Sequence, residues 1–361
     1  MVRGCNGQKR WCLSVFVVGF FNHGALGYME VEDLFCGVGG FTCGALMEGA
    51  VVSSGVDNND AALRAWLDNV PTGTSRLHEI KVGEALPYDD PTRHVHASPP
   101  CTELSRAKAY RTEDQADSGL SLLRWTIECL KPLASWSIET VATSKTRQLF
   151  DEYAPHVAYK VIDAYNFGIP QTRVRLIAGS PALIREFSAG ELVPTVTIRE
   201  AYMHRFGQDP PASHVKNTSR GLNSKMYTRS VDGSSFTVTA GHPLMWCDAR
   251  GSTLRCMNAE ESAMLMGFPR DWHFPKQQRL AQQVIGNAVP PPIARRIVQA
   301  AQILQERANE NQPTNTSVAH DRDGTTLICE RIRTLERELT RRIDRLESMI
   351  SAQQDTLLLH K

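Results

Sequence analysis

No two cysteines in this sequence stand at the CxxC spacing of zinc ribbons or thioredoxin-like redox sites, and nine thiols in 361 residues are too scattered for a disulfide framework. Reduced thiols in the nucleus or cytoplasm are the simple reading. Charge of one sign is equally scarce. The net charge is +1, so any contact with nucleic acid has to come from a local basic patch. No apolar run is long enough to span a membrane as a helix, and no membrane partner is expected. The run in MVRGCNGQKRWCLSVFVVGFF follows basic residues in the outline of a signal peptide. Residues 1–29 are therefore expected to be an N-terminal extension, with the first 28 an organelle-targeting segment or the product of a start codon upstream of Met29.

What is present is alternation. VEDLF, VVSSGV, HVHAS and SWSIE read as buried strands, with FTCGALMEGA, AALRAWLDNV and SLLRWTIECL as helices between them. VAYKVIDA and RVRLIAGS close the series as strand-like runs. This pattern predicts an α/β fold on a parallel, doubly wound sheet over residues 30–190. The rhythm breaks near Leu192, and residues 191–255 form a separate region. Within it, between Arg199 and Arg229, six Lys/Arg face two acids, a local surplus of about four positive charges of the kind phosphates attract. SFTVTA resumes regular structure, ESAMLMGF reads as a helix, and QQVIGNAVPPPIARRIVQAAQILQ reads as a loop leading into a long helix, so that residues 256–305 return to the first domain. Residues 306–326 are a polar linker. Over 327–361, Ile328, Ile332, Leu335, Leu339, Leu346 and Met349 follow a heptad seam. A C-terminal coiled coil is expected there, joining a second copy or a helical partner through residues 327–351.

Two short stretches carry chemistry. In DLFCGVGGFTCG, between a strand and a helix, Gly37, Gly39 and Gly40 let the backbone turn sharply and approach a ligand. Asp57 ends the next strand, where an acid accepts hydrogen bonds from ribose hydroxyls. The ligand is a dinucleotide or S-adenosylmethionine, and the GxGG spacing departs from the dinucleotide pattern GxGxxG. In HASPPCTELS, Cys101 follows two prolines that stiffen its loop. His94 and His96 flank that strand with no metal-ligand partners nearby, so they read as structural and no metal site is expected.

Taken together, DLFCGVGGF, SPPC, ETV, GIPQTRVR, LRCMNAEESAMLMGFP and IGNAVPP, in that order between residues 33 and 291, resemble the motifs of the carbon-5 cytosine-specific DNA methyltransferases. The resemblance implies an S-adenosylmethionine-dependent methyltransferase (Rossmann-like) domain with a small inserted target-recognition domain. It implies that Cys101 is a nucleophile toward carbon 6 of a flipped cytosine and Glu139 its partner at ring nitrogen 3. Arg173, holding the base carbonyl, and Arg175 fall on the arginine motif. Phe35 stacks on the adenine of S-adenosyl-L-methionine, beside Gly37, Val38, Gly39 and Gly40. Asp57 and Asn58 take the ribose position, Glu79 an acidic position near the adenine, and Asn287 and Val289 complete the pocket. The product is S-adenosyl-L-homocysteine. Double-stranded DNA is the implied partner, facing Ser105, Arg106, Lys108, Gln171, Arg205, Lys216, Arg220, Lys225 and Arg229. Thr140 stands where the family usually has Asn, which leaves open a catalytically impaired relative. A transfer-RNA methyltransferase with the same core is the other alternative.

Overall fold

The computed structural model describes residues 28–100, 113–190, 193–217 and 227–310. The expected N-terminal extension and coiled coil, together with Cys101, Ser105, Arg106, Lys108, Arg220 and Lys225, lie outside the described residues.

The first half alternates as its apolar runs demand: β1 (Glu30–Leu34), α1 (Gly40–Met47), β2 (Val51–Asp57), α2 (Asp60–Asn69), β3 (Thr74–Leu77), β4 (His94–Ala97), α3 (Glu113–Leu130), β5 (Trp136–Val141), α4 (Ser144–Gln148), β6 (Ala158–Asp163), β7 (Val174–Gly179) and α5 (Pro181–Ala189). These seven strands form one sheet in the order β3-β2-β1-β4-β5-β7-β6. The first five are parallel. β7 runs antiparallel to both its neighbours, so the sheet is mixed and not wholly parallel as expected. The cause is chain length. Only residues 164–173 join β6 to β7, too few for a crossover helix, so the chain must double back. β3, a short and poorly buried edge strand, has no apolar run to announce it.

The second half begins with α6 (Ile198–Phe206), then β8 (His214–Lys216), β9 (Thr228–Ser230), β10 (Met245–Cys247) and β11 (Thr253–Cys256) in a small antiparallel sheet of order β11-β10-β8-β9. α7 (Ala259–Met266), α8 (Gln278–Asn287) and α9 (Pro291–Glu310) complete the described chain. Two expectations change here. SFTVTA joins neither sheet and carries only a single bridge, Gln171 to Ser235. The arginine motif holds it instead: Ser235 N donates to Pro170 O at 2.8 Å, Thr172 N to Ser235 O at 3.0 Å, Val238 N to Gln171 Oε1 at 3.0 Å, and the Thr237 hydroxyl to Thr172 O at 2.6 Å. QQVIGN is the end of α8 and not a loop, because Ala281, Val284 and Ile285 recur at helical spacing and are all buried.

Three apolar clusters hold the described residues together. One face of the large sheet meets α1, α5 and α9 through Val31, Phe41, Ile177, Phe187, Ile293 and Ile297. The other meets α3 through Leu34, Val95, Leu123, Ile127 and Ile138. The third joins Val38, Cys43 and Ala62 of the first half to Trp246, Leu265 and Ile285 of the second. Each aliphatic side chain so buried contributes about 1.5–3 kcal/mol. Two glycines explain the return of α9. A Cβ on Gly40 would stand 2.1 Å from Val289 O, and one on Gly44 2.3 Å from Pro291 O. α1 therefore meets the IGNAVPP segment backbone to backbone. No described helix is long and apolar enough to cross a membrane.

Candidate active site

The carboxyl ends of β1, β2, β4 and β5 reach one edge of the sheet, and the strand order reverses direction between β1 and β4. Crevices form at such points, between loops leaving in opposite directions. The loop after β1 turns at Phe35, whose φ of 59° is left-handed for a residue with a side chain. Ser98, just after β4, fastens it: Ser98 N donates to Leu34 O at 3.2 Å and Ser98 Oγ to Phe35 O at 3.1 Å. The two loops of the crevice are thus tied together one residue before the prolines.

Asp57 shapes the glycine turn itself. Gly37 N donates to Asp57 Oδ2 at 2.8 Å, and Asn59 N to Asp57 Oδ1 at 2.8 Å. Burial raises the Asp57 pKa above the ordinary carboxylate value, and the backbone donors only partly offset it. A Cβ on Gly37 would meet nothing within 4 Å, so there is open space beside the loop. Val38 is wholly buried, and its carbonyl accepts from Trp272 Nε1 at 3.0 Å. Val289 is likewise buried, whereas Asn58 and Asn287 are exposed. Glu79, exposed beyond β3, pairs with Lys81 at 3.3 Å. The space at Gly37, bordered by a carboxylate and a left-handed aromatic residue, fits a nucleoside-bearing cofactor.

Glu139 lies within β5, 5% exposed, and Arg175 enters from β7 with its Nε 2.7 Å from Glu139 Oε1. That oxygen carries no hydrogen bond, so the contact is an ion pair whose N–H points off the line between the atoms. Arg173 is used differently. Its NH1 donates to Val238 O at 2.8 Å, and its NH2 to Gly286 O at 3.0 Å and Ala288 O at 3.1 Å. It clamps the arginine motif to the SFTVTA segment and to the end of α8, so holding a base carbonyl does not fit its geometry. Thr140 is buried beside Glu139.

The expected DNA-facing residues fare less well. Gln171 is wholly buried and donates to Leu265 O at 2.6 Å. Lys216 is 5% exposed with Nζ on Gly251 O at 2.6 Å. The largely buried Arg205 donates to Phe268 O and pairs with Glu260. Arg229 donates to Thr172 Oγ1 and Ser235 O, and lies over the Phe236 ring. All four thus hold partners within the protein, and Gln171 and Lys216 are buried. The count over 199–229 included Asp209 but omitted Asp232 just outside that window, and Arg199 pairs with both.

Sequence reasoning missed Ser98, Trp272 and Asp33. Asp33 Oδ2 accepts from Thr42 N at 3.1 Å and Thr42 Oγ1 at 2.7 Å, and Thr42 Oγ1 accepts from Trp66 Nε1 at 2.9 Å. It serves as the cap that Gly39, at the start of α1, has no side chain to provide.

A parallel-rich sheet with a reversed β7, and a glycine turn after β1, define a Rossmann-like α/β architecture. The family model of the C-5 cytosine-specific DNA methylases matches residues 191–303. The type II methyltransferase M.HgiDI of Herpetosiphon aurantiacus is 25% identical over 294 residues, spanning 74% of this chain and 92% of its own. M.HindV of Haemophilus influenzae is 24% identical over 308 residues, 75% and 96% respectively. A DNA modification methyltransferase encoded within an E. coli prophage superposes with a TM-score of 0.53 over 77% of this chain and 99% of its own, at 16% identity. That structural likeness shows the shared fold. The chain is thus similar to carbon-5 cytosine-specific DNA methyltransferases in its matched region and in these relatives.

Proposed function

We propose that this protein transfers a methyl group from S-adenosylmethionine to carbon 5 of a cytosine flipped out of double-stranded DNA. The observation that carries the reading is the buried Glu139–Arg175 pair at the edge of the sheet where the Ser98-Pro99-Pro100 loop begins. Phe35, Gly37, Asp57, Asn58 and Asn287 are the residues that hold the cofactor, which when bound supplies an electrophilic methyl group. Carbon 5 of cytosine is a weak nucleophile until a thiolate adds to carbon 6, and Cys101 is the thiol this reading assigns. Addition drives negative charge into the ring. Glu139, with an oxygen free of hydrogen bonds, shares a proton with ring nitrogen 3, and Arg175 holds that carboxyl in place and offers its guanidinium to the base carbonyl. Loss of the carbon-5 proton and elimination of the thiol complete the cycle. A base inside a stacked duplex cannot reach a buried carboxyl, hence the flipping.

The test is to incubate the full chain with S-adenosylmethionine and duplex DNA containing 5-fluorocytosine. A covalent complex that disappears in Cys101→Ala is the expected result. Methyl transfer to transfer RNA but not to DNA would overturn the substrate, and no adduct with a bound cofactor would overturn the activity.

A further inference from the structure

The glycine turn after β1 is closed by its own backbone and then gripped from the second half of the chain. Gly39 N donates to Cys36 O at 2.8 Å, with Gly37 at φ 53° and Gly39 at φ 85°. On the other side of the same peptide, Val38 O accepts from Trp272 Nε1 at 3.0 Å. The Val38–Gly39 peptide is trans and planar, so its N–H and C=O point opposite ways and the two bonds fix its plane. Asp57 holds the neighbouring Gly37 N–H. Among the described residues, Trp272 is the one side chain beyond residue 190 that hydrogen-bonds the turn. It lies between the LRCMNAEESAMLMGFP and IGNAVPP segments and belongs to neither.

Trp272 is itself set in place. Its neighbour His273 exchanges two hydrogen bonds with the Asn69 side chain at the end of α2: Asn69 Nδ2 donates to His273 O at 3.0 Å, and His273 N to Asn69 Oδ1 at 2.8 Å. The indole packs near Phe268, with centroids 6.1 Å apart, and lies with Phe274 against the cluster that contains Val38. Gly39 is wedged between two indoles: a Cβ there would stand 2.8 Å from Trp66 Cδ1 and 3.1 Å from Trp272 Cζ2. Trp66 spends its N–H on Thr42 Oγ1, so the carbonyl of the turn falls to Trp272.

We propose that Trp272 is a positioning residue for the cofactor, its indole N–H selecting one orientation of the Val38–Gly39 peptide. The proposal rests on the reading that S-adenosylmethionine lies against the open face at Gly37. Rotating that peptide by half a turn changes only ψ of Val38 and φ of Gly39, and a glycine accepts φ of either sign. The rotation aims the Val38 carbonyl where the Gly39 N–H now points and opens the turn. An indole N–H donates and never accepts, so it holds the observed orientation and offers the rotated one nothing. Held this way, the turn meets the cofactor without losing a share of molecules to the rotated form.

The experiment compares the full chain with Trp272→Phe, which keeps an aromatic ring and loses the N–H, and with Phe274→Leu, which disturbs the same cluster and makes no hydrogen bond to the turn. In calorimetric titration with S-adenosylmethionine, Trp272→Phe is expected to bind about fivefold more weakly, the worth of one hydrogen bond. Phe274→Leu is expected to unfold at a lower temperature and to keep the affinity of the unsubstituted chain. In Trp272→Phe the KM for S-adenosylmethionine is expected to rise by the same factor as the calorimetric change, with kcat at saturating cofactor unchanged. Undiminished affinity in Trp272→Phe, or equal weakening in both variants, overturns the role. Where Trp272→Phe does not fold, the unsubstituted chain decides by nitrogen-15 tryptophan NMR. The Trp272 indole resonance, assigned through its backbone, is expected to shift when S-adenosylmethionine is added, and an unmoved resonance overturns the role. An unsubstituted chain that binds no S-adenosylmethionine overturns the cofactor reading and the role together.

Discussion

The two sheets use buried charge in opposite ways. In the seven-stranded sheet apolar clusters pack against both faces, and one charged pair, Glu139 and Arg175, sits at the edge where the crevice opens, while the buried Glu32 of β1 pairs with Arg93 just before β4. In the four-stranded sheet the strands are only three or four residues long, and charged side chains hold them. Glu261 accepts from Arg255 at 2.7 and 2.8 Å, from Trp246 Nε1 at 3.0 Å and from Tyr202 OH at 3.3 Å. Burial alone would raise the Glu261 pKa, yet the Arg255, Asn258 and Trp246 donors bring it below its ordinary value. A small sheet buries too little apolar area to stand alone, and fixed polar pairs set the positions of its strands. The Glu139–Arg175 pair is therefore the buried charge to test for chemistry, and the Glu261–Arg255 pair the one to test for folding.

Substitutions test that contrast. Glu139→Gln is expected to lower kcat about 10²- to 10⁴-fold with little change in the thermal midpoint, measured by methyl transfer and calorimetry. Equal loss of stability and rate would erase the distinction. Glu261→Ala is expected to cost about 2–3 kcal/mol in denaturant unfolding, the buried-pair figure being discounted because the Arg255 side chain is 43% exposed. Lys216→Met is expected to cost about 1 kcal/mol, the worth of one hydrogen bond, and to leave the salt dependence of DNA binding unchanged. A shallower salt slope would return Lys216 to the DNA.

The smallest effect concerns pH. His94 has a folded pKa depressed to about 4, so its contribution to stability is present above the unfolded value and is lost as pH falls. Asp33 is raised to about 7, so its contribution is present in acid and is lost as pH climbs toward 7. The two slopes oppose each other. Thermal midpoints of Asp33→Asn are therefore expected to rise more steeply between pH 4 and 6.5 than those of the unsubstituted protein.

Local signals were readable in the sequence. Apolar runs marked six of the seven strands of the large sheet, β3 being the exception, and glycines marked the turn after β1. Partnership over distance was not. Arg173 and Arg175 look alike on one strand, and only residues 65, 113 and 115 positions away reveal that Arg173 is spent on backbone carbonyls. Lys216 and Arg205 counted as free positive charge because burial does not show in a charge sum. The direction of β7 was within reach, since the ten residues between β6 and β7 already ruled out a crossover helix.

The backbone contact of Gly40 with Val289 and of Gly44 with Pro291 also bears on how the protein is made. A ribosome delivers α1 roughly 250 residues before the segment that covers it, and domains fold as units during synthesis. Until that segment emerges, the glycine face of α1 has no neighbour, and the turn above it lacks the Trp272 hydrogen bond to Val38. A nascent or prematurely terminated chain thus carries the whole glycine motif in its sequence and still cannot complete the loop until the IGNAVPP segment has been made.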